Sequence, residues 1–219
     1  MEYAFELLQE IYVYMRCVLV NYNYTPEWIK DYDYDYLIYD RSENLDWYKD
    51  LPLNIPLELT ENIGNADYDR LTYLIDNYHE LPDIFILSKS NMFKYITKEE
   101  FDKLEKKDFT PLLTQKHKVY EPVCRYVNGI YEEINNSWYA TQFKRKFNTY
   151  GDWAKYMGLD SPKYLQFSPG GNYILTKERV HRYPKKFYEK MRDTLKHAVL
   201  PAEAHYVERT YYTLWRDKN

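Results

Sequence analysis

The chain has 219 residues, 45% hydrophobic and 29% charged, which supplies a packed core and excludes a disordered chain. Lys and Arg number 30 against 34 Asp and Glu, a formal net charge of -4. That balance excludes the overall basic excess of a dedicated nucleic-acid or anionic-membrane binder. Two cysteines, Cys17 and Cys124, can build neither a disulfide framework nor a four-cysteine zinc site. A reducing, cytoplasmic compartment is therefore expected, with the whole chain (1–219) as a single domain.

MEYAFELLQE carries acidic residues and no basic start, so it reads as a short amphipathic helix or ordered tail rather than a signal peptide. Ile11 to Val20 is interrupted by Arg16 and is too short to span a bilayer. The continuous apolar run in CVLVNY predicts a buried, parallel strand, and DYLIYDRSE a second one. Between them Thr25-Pro26-Glu27-Trp28 predicts a short helix through Lys30. LELTENIGN reads as a short strand running into a glycine turn. Leu71, Leu74, Ile75 and Tyr78 share one helical face, which predicts a helix over 66–81 ending before Pro82. DIFILSKSN is the clearest strand, and Thr97 with Glu100 has the spacing of a capping box.

Residues 108–150 give no clean assignment; EPVCRYVNGIYEEI fits a helix or a strand interrupted at Gly129. YGDWAKYMG predicts a helix, and YLQFSPGGNYILTKERV a strand, a turn and a strand. Two further helices are predicted, with Pro184 and Pro201 at their starts. Alternating strands and helices predict an α/β fold: a mixed, mostly parallel, Rossmann-like central sheet flanked by helices. In such sheets ligands lie beyond the carboxyl ends of the strands.

Those ends are Asn21-Tyr22-Asn23, Asp40-Arg41, Asn62-Ile63-Gly64-Asn65 and Ser88-Lys89-Ser90-Asn91. A nucleotide needs a carboxylate or amide for its base or ribose, a ring to stack on, and cations or amides for its diphosphate. Asp40, then Tyr22 or Tyr24, then Arg70, Lys89 and a divalent ion can meet these needs. The plainer readings are a cap for Asp40, a turn for Gly64 and a solvated helix face for Arg70. Neither G-x-G-x-x-G nor G-x-x-x-x-G-K-[ST] occurs, and Gly-x-Ser-x-Gly is absent.

The order of these pieces resembles the nucleotide-sugar glycosyltransferases of the GT-A fold. In that family a first strand ends in a Tyr-Asn-containing loop, as LVNYN does, and a second ends in an Asp that contacts the nucleoside, as in LIYDRS. A glycine turn precedes a helix carrying an Arg near the diphosphate, as in NIGNADYDR. A Gly-Gly segment opens an acceptor-side strand, as in SPGGNYILTKERV, and a late helix carries the catalytic carboxylate, as in PAEAHYVER. The sequence is similar, over roughly 11–94 and 150–216, to small glycosyltransferase-like domains of fungi and microbes. It is also similar to compact domains of large algal (chlorella) viruses that glycosylate capsid protein. For a viral chain the compartment would be the host cytoplasm.

The resemblance implies a nucleotide-binding half (11–94) and an acceptor-side half (95–219). It implies donor contacts from Asn21, Tyr22, Asp40, Arg41, Gly64, Arg70 and Lys89, and acceptor contacts from Gly170, Gly171, Asn172 and Trp153. Glu203 is the implied general base, with Glu208 as the alternative; the plainer reading of Glu203 is a first-turn acid on the helix dipole. The family's metal-binding Asp-x-Asp is replaced by Ser88-Lys89-Ser90-Asn91. A Mn2+ or Mg2+ ion would then rest on Ser90, Asn91 and His205, or Lys89 would replace it in part. Asp31, Asp33 and Asp35 spell a repeat but precede a strand, and read as a surface loop.

The implied partners are a UDP-sugar donor and a glycan or glycoprotein acceptor, with no nucleic acid and no membrane span. A non-catalytic carbohydrate-binding module using Trp138, Trp153 and some of the 27 tyrosines is the alternative. A nucleotidyltransferase is a third reading, lacking its usual glycine-rich loop.

Overall fold

A computed structural model describes residues 15–52, 54–105, 108–113 and 123–217; the expected helix or tail over 1–10 lies outside them. The strands are β1 (Arg16–Asn21), β2 (Asp35–Asp40), β3 (Leu57–Leu59), β4 (Ile84–Lys89), β5 (Phe109–Pro111), β6 (Cys124–Val127), β7 (Ile130–Ile134), β8 (Tyr164–Phe167) and β9 (Tyr173–Thr176). Six of them form a mostly parallel sheet in the order β3-β2-β1-β4-β9-β5. β1 to β4 run parallel, and β9 lies antiparallel to both β4 and β5. The α-helices are α1 (Asn65–Asp76), α2 (Lys98–Asp102), α3 (Tyr150–Met157), α4 (Lys177–Val180), α5 (Lys185–Asp193) and α6 (Ala202–Trp215). The result is a single mixed α/β domain with helices on the sheet.

The apolar runs of β1, β2 and β4 are buried on both faces because side chains alternate across the pleat. Val18, Leu37, Tyr39, Phe85, Leu87, Tyr173 and Leu175 enter one core together with α1, α3, α5 and α6. Cys17, Leu19, Tyr36, Ile38, Ile86 and Ile174 enter a second core on the other face. There they meet Trp28, Trp47, Met92 and Phe101 from short 3-10 turns and α2. The turns Glu27–Asp31 and Asp46–Asp50 replace full helices in the β1–β2 and β2–β3 connections. These two connections step outward on one face, and α1 carries the chain back across the other face to β4. Steps in opposite directions use opposite faces when every crossover is right-handed.

Residues 124–134 resolve into a hairpin, β6–β7, which pairs with β8 to form a second sheet. Its turn is Asn128-Gly129, both at positive φ (52° and 77°), the conformation that a two-residue hairpin turn demands. The Asn-Gly pair was the available signal. Ser-Pro-Gly-Gly therefore joins strands of two different sheets, β8 and β9. α6 ties this second sheet to the domain: Arg209 Nε and Nη2 donate to Glu133 Oε1 and Oε2 at 2.9 and 3.1 Å. Its guanidinium lies 3.6 Å from the Tyr139 ring centroid.

The described tyrosines divide between the core and a half-buried surface. Tyr39, Tyr73, Tyr150, Tyr173, Tyr188, Tyr206 and Tyr211 are among the most deeply buried side chains. Burial of such rings is each worth roughly 2–3 kcal/mol, and their hydroxyls pin connections. Tyr188 donates to Val180 O at 2.8 Å, and Tyr173 Oη accepts the Ser168 amide at 2.9 Å. Among the described residues no helix is long and apolar enough to cross a membrane.

Gly64 sits at φ 66° before α1, where a Cβ would lie 2.7 Å from Tyr68 Cβ and 2.9 Å from Leu195 Cβ. Gly158, at φ 76° after α3, has open space instead. Urea denaturation should show Gly158→Ala losing about 1 kcal/mol, the left-handed backbone cost alone. Gly64→Ala should lose about 3 kcal/mol because overpacking adds to that cost. Equal losses would contradict the close approach at Gly64.

Candidate functional site

The strand order reverses between β1 and β4, since β2 and β3 follow on one side and β4 on the other. A crevice opens at the carboxyl end of such a reversal. Here it is a cleft of about 310 Å³, whose walls include Asn21, Tyr22, Arg41, Ala66, Lys89 and Ser90. Asn62, Asn65 and Asn91 also line it, with Tyr24, Val199 and Leu200 at the rim. The strand ends read from the sequence thus meet at one place.

Its floor is built from side-chain ties between neighbouring strands. Asn21 Nδ2 donates to Asp40 Oδ1 at 2.9 Å, and Ser42 Oγ donates to the same oxygen at 2.7 Å. Asp40 is buried and absent from the lining; it acts as a clamp beneath the cleft rather than as a wall. On the other side Asn172 Oδ1 accepts from the Lys89 amide at 2.9 Å and from Ser88 Oγ at 3.1 Å. Asn172 thereby joins the end of β4 to the start of β9.

The α1 end of the cleft is set by the backbone. Gly64 and Asn65 amides donate to Ala198 O and Val199 O, both at 2.9 Å, which straps the segment before α6 onto the start of α1. Gly64 itself holds this approach. No side chain caps α1, and Ala66 in its first turn lines the cleft. A helix start of this kind presents backbone N–H groups and a partial positive charge to an anion.

Charged groups fill the base of the cleft. Arg41 Nη2 lies 3.3 Å from Asp69 Oδ2, with both side chains buried. Arg70 donates to Asp67 Oδ1 at 2.8 Å and to Gly170 O at 2.5 Å. Arg70 is fully buried, so it stands behind the cleft rather than in it. Gly171 explains its fit: a Cβ there would lie 2.7 Å from Arg70 Nη1. Gly170, Gly171 and Asn172 therefore scaffold the donor side.

Lys89 stands 5.9 Å from the Tyr95 ring centroid, with Glu208 of α6 within electrostatic reach. Burial lowers the Lys89 pKa, opposed by the charge of Glu208. Burial also works to raise Glu208, but Lys89, Arg209, His205 and Arg70 outweigh it and hold the carboxyl below its ordinary range. Arg41 is paired with Asp69, Arg70 with Asp67 and Arg209 with Glu133, and Arg209 Nη1 also lies 3.8 Å from Glu208 Oε1.

Three further expectations change. Glu203 is fully buried and does not line the cleft. Its Oε1 accepts the amides of Lys146 and Phe147 at 2.6 and 3.0 Å, fastening the loop before α3. Trp153 is fully buried against Tyr150 and Tyr206, its Nε1 donating to Thr194 Oγ1 at 3.3 Å, so it is core and offers no stacking surface. His205 lies between the rings of Tyr139 and Phe143, outside the cleft lining. Asp31 pairs with Lys98 and Asp35 with Arg16, at the opposite end of the sheet.

The residues do not suit a divalent cation. Among the described residues no three His, Cys, Asp or Glu side chains gather as metal ligands. Ser90 and Asn91 offer only neutral oxygens, and the Lys89 ammonium of the same strand end repels a cation. The sequence reading missed Asp67 and Asp69; the available signal was Asp67 placed four residues before Leu71, on the apolar face of the helix.

An α/β protein with a polar carboxyl-end cleft at a strand-order reversal is the class this geometry defines. The chain belongs to the family described as "Protein of unknown function (DUF3431)", which matches residues 18–219. No curated protein and no solved structure matches it.

Glu203→Ala should lower stability by about 2 kcal/mol in urea denaturation, because the Lys146 and Phe147 amides lose a fully buried carboxylate acceptor. A loss below 0.5 kcal/mol would contradict the fastening role. Burial lowers the His205 pKa to about 4 from 6.5. Between those values the unfolded chain takes up a proton that the folded chain refuses, so stability falls as pH drops through this window. Asp69, raised to about 6 by burial, acts in the opposite direction, so the comparison must be between variants. His205→Gln should lose about 2 kcal/mol less than wild type between pH 7 and pH 4. Parallel profiles would contradict a buried neutral imidazole.

Proposed function

We propose that the chain is a glycosyltransferase of GT-A-like design. It would move a sugar from a nucleotide-sugar donor, UDP-linked, to a hydroxyl of a glycan or glycoprotein. The observation that carries this reading is the convergence of three carboxyl strand ends and an uncapped helix start on one cleft. That is the set of groups a nucleoside diphosphate requires. The order of sequence pieces shared with the GT-A family supports the same reading.

In this reading Tyr22, exposed at the rim, stacks on the base. Asn21 hydrogen-bonds the base or ribose, held in place by Asp40. The α1 amides, Lys89 and Arg41 face the diphosphate. The acceptor oxygen attacks the anomeric carbon as the bond from that carbon to the diphosphate oxygen breaks. The bonding pair leaves with the nucleoside diphosphate, and the acceptor proton passes to a carboxylate. Glu208 takes the base role in place of Glu203. Lys89, Arg209 and Arg70 hold its carboxyl below the ordinary range, and its Oε1 lies 3.8 Å from Arg209 Nη1; neither glutamate lines the cleft itself, but Glu203 is engaged with backbone amides.

Calorimetry with UDP, GDP and CMP tests the reading. UDP should bind, and Tyr22→Ala should weaken it about tenfold through lost stacking. Glu208→Gln should keep UDP affinity within about threefold while lowering transfer at least 10²-fold, on the order expected for a general base. No binding of any of the three nucleotides would overturn the proposal and leave the carbohydrate-binding module.

A further inference from the structure

We infer that the diphosphate is neutralised by the chain's own groups, Lys89 with Arg41 and the start of α1, and that no divalent cation takes part in holding it. This inference rests on the nucleotide reading of the cleft and adds to it the chemistry of phosphate capture.

Three independent features support it. The first is the cations already present: Lys89 ends β4, and Arg41 follows β2, both in the cleft wall. A divalent ion placed among them would meet like charge with no acidic ligand triad among the described residues. The second is α1, twelve residues long and without a side-chain cap, whose first-turn Ala66 lines the same cleft. The third is a set of buried polar atoms with no hydrogen-bond partner among the described residues. Asn21 Oδ1 and Ser90 Oγ belong to cleft-lining side chains that are 1% exposed. Buried polar atoms rarely lack partners in native proteins, so their grouping at one cleft points to a polar occupant.

Calorimetry tests this with UDP and uridine as probes, in buffer containing EDTA and in buffer containing 1 mM MnCl2 (on the order of the ion's usual working range). UDP should bind with the same Kd, within about twofold, in both buffers. Lys89→Met should weaken UDP at least tenfold in EDTA while leaving uridine within about twofold, and Lys89→Arg should restore most of the loss. If Lys89→Met does not fold, the Lys89→Met/Glu208→Gln pair removes both charges together and should show the same selective loss of UDP. UDP binding that appears only with Mn2+ would overturn this inference and leave the nucleotide site standing. So would equal weakening of UDP and uridine. Absence of UDP binding in both buffers would remove the underlying reading as well.

Discussion

Charge balance beneath one end of the sheet is the constraint on which the rest depends. Arg41, Arg70, Asp67 and Asp69 are all buried there. Each such charge is costly to remove from water unless it is paired and hydrogen-bonded. Apolar side chains of similar volume would stabilise the fold at least as well, so packing alone gives no reason for these charges. The geometry gives one. The two arginines are held by two acids of α1, and Arg70 also reaches the carbonyl of Gly170, so the guanidinium groups stay fixed beneath the cleft. Lys89 is the cation left nearest to the open space, and its counter-charge comes from a different element, α6.

The fold makes this possible by bringing distant sequence together without long connections. β1, β2 and β4 deliver their polar ends to one line, and the strap at residues 198–199 fixes α1 against the approach to α6. Asn172 fastens β9 to β4 through a single side-chain amide. Tight backbone contacts at Gly64 and Gly171 leave no slack between these pieces, so the positions of Arg70 and of the α1 start are set by packing rather than by the cleft's own side chains.

The strand ends were legible in the sequence because apolar runs that stop abruptly at polar residues are a local pattern. CVLVNY, LIYDRS and FILSKSN each announce both a buried strand and its exit. The 3-10 turns after β1 and β2 were less legible, since a five-residue segment carries too little periodicity to separate a turn from a helix. The β6–β7 hairpin was left open although Asn128-Gly129 marked it, because Tyr, Val and Ile on both sides fit either period. Sequence put Glu203 ahead of Glu208. The two are five residues apart on one helix, and only the packing of α6 shows that Glu203 is spent on the Lys146 and Phe147 amides. Trp153 illustrates the same limit, since a large aromatic reads alike as a stacking surface and as a core side chain.

Crystals soaked with UDP in the presence of EDTA offer the most direct test of the central claim, that the cleft at the β1–β4 reversal is a nucleoside diphosphate site. The account predicts density for uracil against Tyr22 and for both phosphoryl groups between the first turn of α1 and Lys89 Nζ. Density for UDP at any other surface, or phosphoryl groups turned away from α1 and Lys89 toward solvent, would contradict it.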